Sequence, residues 1–214
     1  MELEQQQVKS KKRVADHGEV FTSEREVNAM LDLVKHETER IESRFLEPAC
    51  GNGNFLVEVL RRKLEVVESR FSTFQMDWER NAFIAISSIY GVDILEDNAL
   101  ECQDRLFGIL SRVYIHRFGT NCKTEFLSSI RLVLEKNILW GDALDFTNPV
   151  TKKQIVFAEW TMISDTLVKR RDYIFKFLVE KSFQFTIDFN DEGQPGAIDE
   201  AVKDYPPAHF MKLV

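Results

Sequence analysis

Cysteine is scarce in this 214-residue chain: Cys50, Cys102 and Cys122 are the three present. Their odd number and the lack of metal-ligand spacing exclude a disulfide framework and a zinc site, and they read as free thiols of a reducing compartment. Long apolar runs are missing too. No stretch approaches the roughly eighteen residues that a membrane-spanning helix needs. The opening Met1-Glu2-Leu3-Glu4-Gln5 lacks the basic stretch and apolar core of a secretory signal. A cytoplasmic protein is expected. Positive charge is in deficit as well, with a formal net charge of −7. That balance opposes the field of nucleic acid, so duplex binding requires local basic patches or a basic partner. The basic patches are Lys9-Ser10-Lys11-Lys12-Arg13 and Lys169-Arg170-Arg171, and each also reads as a solvated tail or helix face.

The length suits one good-sized core and is short for two domains. Residues 1–13 are polar and charged with no apolar period, which predicts a flexible arm before a single domain over 14–214. Ser23, with Glu26 three places on, forms a capping-box pattern, and Val27, Met30, Leu31 and Val34 follow at helical spacing. A helix is expected over 24–38.

Arg44-Phe45-Leu46-Glu47 reads as a short buried strand entering a glycine turn, and Phe55, Leu56, Val59, Leu60 and Leu64 mark the helix beyond it. A helix over 78–88, a strand over 88–94, a helix over 96–110 and a strand over 137–142 follow. A fourth strand is expected over 154–160, a helix over 168–181 and a strand over 183–189, before a tail containing Pro206-Pro207. Alternation of this kind predicts an α/β fold with a mostly parallel sheet, whose ligand site lies beyond the carboxyl ends of the strands.

Three acids occupy those ends in order. Glu47, Asp93 and Asp142 each close a predicted strand. Singly, each reads equally as a turn or capping residue; together they define a site. Gly51 and Gly53 permit a backbone path and a close approach that a Cβ would forbid. Glu47, just before the turn, suits an ammonium and repels a pyrophosphate. Asp93 can accept from two ribose hydroxyls, and Asp142 from an exocyclic amine, with Ile94 or Trp140 over the ring. A dinucleotide fingerprint needs a third glycine where Leu56 stands. A pocket for S-adenosylmethionine (SAM) must hold a ribose, an adenine and a zwitterionic amino-acid tail, and the sequence offers a suitable group for each.

Over roughly residues 13–144 the chain resembles the cofactor half of the adenine-N6 DNA methyltransferases, especially the modification subunits of restriction systems. Glu47-Pro48-Ala49-Cys50-Gly51-Asn52-Gly53-Asn54-Phe55 matches that family's Asp/Glu-Pro-Ala-x-Gly-x-Gly-x-Phe motif. His17-Gly18-Glu19-Val20-Phe21-Thr22-Ser23 is similar to its Gly-x-x-Phe-Thr-Pro turn, with Ser23 in place of the proline. The resemblance implies a Rossmann-like SAM-dependent methyltransferase sheet, here shortened at the C-terminus. It implies cofactor contacts from Phe21, Thr22, Glu47, Ala49, Gly51, Gly53, Asn54, Phe55, Asp93, Ile94, Asp142 and Ala143, and no metal.

The family's catalytic Asn/Asp/Ser-Pro-Pro-Tyr/Phe motif, which holds a flipped target base, is missing. Ala158-Glu159-Trp160-Thr161 stands where it belongs. Glu159 as amine acceptor and Trp160 as stacking ring are the candidate catalytic residues. Asn148-Pro149 and Tyr205-Pro206-Pro207 have the wrong place or order. With no room for a recognition domain, DNA readout is expected to come from a partner subunit in a hetero- or homo-oligomer. The alternative is a SAM-binding regulatory or assembly subunit that has lost catalysis.

Overall fold

The computed structural model describes residues 9–17, 19–184 and 201–213. The chain opens with α1 (Lys11–His17), where the Ser10 Oγ accepts the Arg13 N–H at 3.2 Å. Ser23 starts α2 (Glu24–Leu33) with the expected capping box: its hydroxyl accepts the Glu26 N–H, and its own N–H donates to the Glu26 carboxylate. Val27 and Leu31 face the core, whereas Met30 is half exposed. The expected helix breaks at Val34 and resumes as the single turn α3 (Lys35–Thr38).

Next come β1 (Phe45–Glu47), α4 (Asn54–Arg70), α5 (Gln75–Ser87), β2 (Ile89–Asp93) and α6 (Glu96–Phe118). The last is longer than expected. It carries Glu96 and Asp97 in its first turn and His116 and Arg117 in its last, the arrangement that complements a helix dipole. The expected elements leave 111–136 unassigned, yet α7 (Thr124–Asn137) buries Phe126, Ile130, Val133 and Leu134 along one face. It leads directly into β3 (Ile138–Trp140).

These three strands form a parallel sheet in the order β1-β2-β3. Crossovers in one direction and of one hand put α4 to α7 on the same face. On that side, a Cβ at Gly91 would meet Leu56 and Cys50. On the opposite side Val92 packs with Ile155, Phe157 and Phe175, flanked by Tyr90 and Leu139.

The C-terminal part departs from expectation. β4 (Val156–Met162) forms, but it does not join the parallel sheet. It pairs antiparallel along its length with β5 (Leu167–Ile174), over residues expected to start a helix. A tight reversal at 163–166 makes the hairpin: the Ile163 N–H donates to the Leu167 carbonyl, and the Leu167 N–H to the Ser164 hydroxyl. The charged run Lys169-Arg170-Arg171 therefore alternates across a strand instead of following a helix. Arg170 forms a bidentate pair with Asp172 at 2.7 and 2.8 Å and lies over the Trp160 and Tyr205 rings. Lys169 and Arg171 both turn to Asp204.

Helix α8 (Phe175–Gln184) follows, so residues 183 and 184 of the expected strand close a helix; the rest of that strand, 185–189, lies outside the described residues. The tail returns as β6 (Lys203–Asp204) and β7 (Ala208–His209), both paired to β5, on either side of Pro206-Pro207. Phe210 then enters the core against Phe83 and Phe126.

Residues 9–13 of the expected arm pack onto the domain, because their cations meet the acidic start of α6. Arg13 pairs with Asp97 and Glu19, and Lys9 with Glu101. Residues 1–8 lie outside the described residues. Among the described residues no helix is long and apolar enough to cross a membrane.

Candidate functional site

A cavity of about 450 Å³ opens at the carboxyl ends of β1, β2 and β3. That size falls within the range of roughly 300–1,000 Å³ typical of small-molecule sites. The three strand-end acids meet there: Glu47, Asp93 and Asp142 all line it. So do Phe21, Thr22, Ala49, Gly51, Asn54 and Phe55, and on the far wall Ile94 and Ala143. Gly53 alone among the expected cofactor-binding residues stands behind the surface.

The floor is the turn after β1. Gly51 and Gly53 have φ of +52° and +87°, a region that side chains rarely adopt. Space forbids a side chain at Gly53 and crowds one at Gly51. A Cβ on Gly53 would lie 2.5 Å from the Cys102 Sγ, and one on Gly51 would lie 3.1 Å from the Phe21 ring. Phe21 is thus buried against bare backbone at the cavity edge.

Asp93 ties the floor to the next strand. Its Oδ2 accepts the Gly51 N–H at 2.8 Å, and its Oδ1 accepts from the Leu95 N–H and the Asn98 side chain. These three bonds fix the carboxylate and leave about one of its roughly four acceptor sites, on Oδ2, unused. Asp142 is held by an Asx turn, accepting the Leu144 N–H at 2.8 Å.

Glu47 differs. Its Oε2 is buried and has no hydrogen-bond partner. Burial, reinforced by the neighbouring Asp93 charge, pushes its carboxyl up to about 7. An unpaired buried oxygen carries a desolvation cost that a donor in the cavity removes. A cation there supplies both the hydrogen bond and the opposite charge.

Four residues that carry the site had no assigned role in the sequence. Glu19 lines the cavity and accepts from Asn98, which also lines it and donates to Asp93. Asn98 stands in the first turn of α6, with no local signal of this role. Cys50 borders the floor, its thiol pushed up by contact with Cys102 and by burial. Leu144, almost fully exposed at 88%, rims the mouth. Trp140, considered as a ring cover, instead donates its indole N–H to the Ile94 carbonyl and leaves the lining to Ile94.

Glu159 and Trp160 are not brought to this cavity. The Trp160 indole donates to the Asn137 side chain at 3.0 Å, and Asn137 donates to the Ser87 and Ile89 carbonyls at the amino end of β2. Glu159 pairs with Arg44, just before β1. Both therefore lie at the opposite end of the parallel sheet from the acids, because β4 starts beside Val92 and Gly141 and runs back to Asn137. All three cysteines are free, and among the described residues no cluster of His, Cys, Asp or Glu can hold a metal ion.

No protein-family model matches the chain, and no curated protein or solved structure matches it.

Proposed function

We propose that the cavity binds S-adenosylmethionine, and that the chain is the donor-binding part of a DNA adenine-N6 type methyltransferase in a restriction-modification or defence system. The observation that carries this reading is that Glu47, whose buried Oε2 has no hydrogen-bond partner, lines the same cavity as Asp93 and Asp142. An ammonium satisfies Glu47, ribose hydroxyls suit Asp93, and an exocyclic amine suits Asp142. The glycine floor, which a Cβ would fill, gives the methionine moiety its close approach to backbone. Phe21, Thr22, Ala49, Asn54, Phe55, Ile94 and Ala143 complete the cradle. Among the described residues no Lys or Arg lines it; Lys9 and Arg13 stand behind Asn98 and Glu19, so Glu47, Asp93 and Asp142 are the acids left to favour a cation over a phosphate. When bound, the cofactor supplies a methyl group on a sulfonium, activated for transfer to a nucleophile. In this reading the three-stranded parallel sheet is the first half of a Rossmann-like methyltransferase sheet.

A second reading, a SAM-binding regulatory or assembly subunit, is favoured by one observation: Glu159 and Trp160 lie away from the donor cavity. The first reading requires a partner to supply DNA recognition and to complete the acceptor side. Transfer of radiolabelled methyl from SAM to duplex DNA separates them. Label reaching DNA when cell extract is added supports the methyltransferase. Binding without transfer to DNA, RNA or protein under the same conditions supports the regulatory module.

A further inference from the structure

We infer that Arg105, on α6 and outside the cavity lining, is a positioning residue for the donor site. It fixes the glycine turn and, through Asn54, the Phe21–Thr22 wall. The inference rests on the donor-binding reading above.

The Arg105 Nη1 donates to the Asn52 carbonyl at 2.7 Å and to the Asn54 Oδ1 at 2.8 Å. These acceptors flank Gly53, the turn residue with φ of +87°. One guanidinium thus bridges the residue before the left-handed step and the residue after it. Because the Asn54 oxygen is engaged by Arg105, its amide nitrogen faces the other way and donates to the Thr22 carbonyl at 2.9 Å. Among the described residues no other hydrogen bond joins the Phe21–Thr22 wall to the turn. The chain Arg105–Asn54–Thr22 therefore holds two sides of the cavity, drawn from distant parts of the sequence, in one register.

The chemistry of Arg105 is unusual for a merely structural arginine. It is partly buried, burial lowers its affinity for its proton, and its hydrogen bonds go to neutral oxygens of the turn. Both bonds leave one nitrogen, Nη1, at the far end of the guanidinium, a reach that the shorter lysine side chain does not match.

The test is titration of S-adenosylhomocysteine into wild type, Arg105→Met, Arg105→Lys, Asn54→Ala and the Arg105→Met/Asn54→Ala double variant, with the melting temperature of each ligand-free protein. Arg105→Met is expected to weaken binding about tenfold while the melting temperature falls by no more than ~4 °C. Arg105→Lys retains the cation on a shorter stem and should recover part of the affinity. The double variant should lose less than the product of the single losses, because both act through one chain. A dissociation constant within about twofold of wild type for Arg105→Met, or fully multiplicative losses, overturns the inference. Should Arg105→Met fail to fold, Arg105→Lys decides: weakened binding at an unchanged melting temperature supports the role, and unchanged binding overturns it. Failure of wild type to bind is a different result, because it removes the donor-binding reading itself and this inference with it.

Discussion

The backbone N–H of Gly51 donates to the Asp93 carboxylate at 2.8 Å, so the turn after β1 is tied to the end of β2 at the floor of the cavity. Asp93 is consequently both a strut and a ligand-facing group. Replacing it with Ala strands the Gly51 and Leu95 N–H groups, which costs about 1–3 kcal/mol in stability. It should also weaken SAM binding by at least about tenfold. Asp93→Asn keeps acceptor oxygen and volume, so thermal unfolding should show a smaller loss than for Ala while affinity still falls.

Glu47 gives the site a pH dependence of definite sign. Its carboxyl is raised to about 7 from an ordinary 4.5. The folded state therefore holds a proton that the unfolded state releases, and stability falls as pH rises from about 4.5 to about 7. Glu47→Gln should remove that slope and leave the ligand-free protein more stable at pH 8, as denaturant titration can measure. Ligand binding runs the other way. An ammonium favours the carboxylate, so SAM affinity should rise between about pH 5.5 and 7 in wild type and stay flat in Glu47→Gln.

Lys63 carries an opposite slope at the other end of β1. Fully buried, it donates to the Ile41 and Ser43 carbonyls and to the Ser88 hydroxyl. Burial pulls its amine down to about 7 from 10.5. Between those values the unfolded chain binds the extra proton, so stability rises with pH across the window. Lys63→Met should abolish this rise, and it leaves the Ser43 carbonyl without its donor, lowering stability by about 1–3 kcal/mol.

Trp160 is predicted to be a packing residue. Its ring meets Phe83 edge-on at 6.2 Å and lies beneath Arg170. Trp160→Ala should lower stability by about 2–4 kcal/mol while leaving SAM affinity within about twofold of wild type. A folded Trp160→Ala protein with much weaker SAM binding would show that the residue acts on the donor site after all.

The site was legible in the sequence where its chemistry is local. Glu47, Asp93 and Asp142 each sit within a residue or two of a strand end, and the Gly51–Gly53 turn joins a strand to a helix, so short-range pattern alone gathers them. The same holds for the Ser23–Glu26 capping box. What depended on distant partners was not legible. Leu167–Ile174 carries three consecutive cations, and only its pairing with β4 shows that they alternate across a strand. The course of β4, from Gly141 back to Asn137, carries Glu159 and Trp160 to the amino end of the parallel sheet. Glu19 and Asn98 join the cavity through hydrogen bonds between segments about eighty residues apart, which no local pattern reports. The helix α7 was readable, with Phe126, Ile130, Val133 and Leu134 at helical spacing.

The most direct measurement is calorimetric titration of S-adenosylhomocysteine into wild type, Glu47→Gln and Asp93→Ala at pH 7.5. Saturable one-site binding by wild type, weakened about tenfold or more in both variants, is the predicted result. Absence of binding heat in wild type, or affinities that the two carboxylate substitutions leave unchanged, would contradict it.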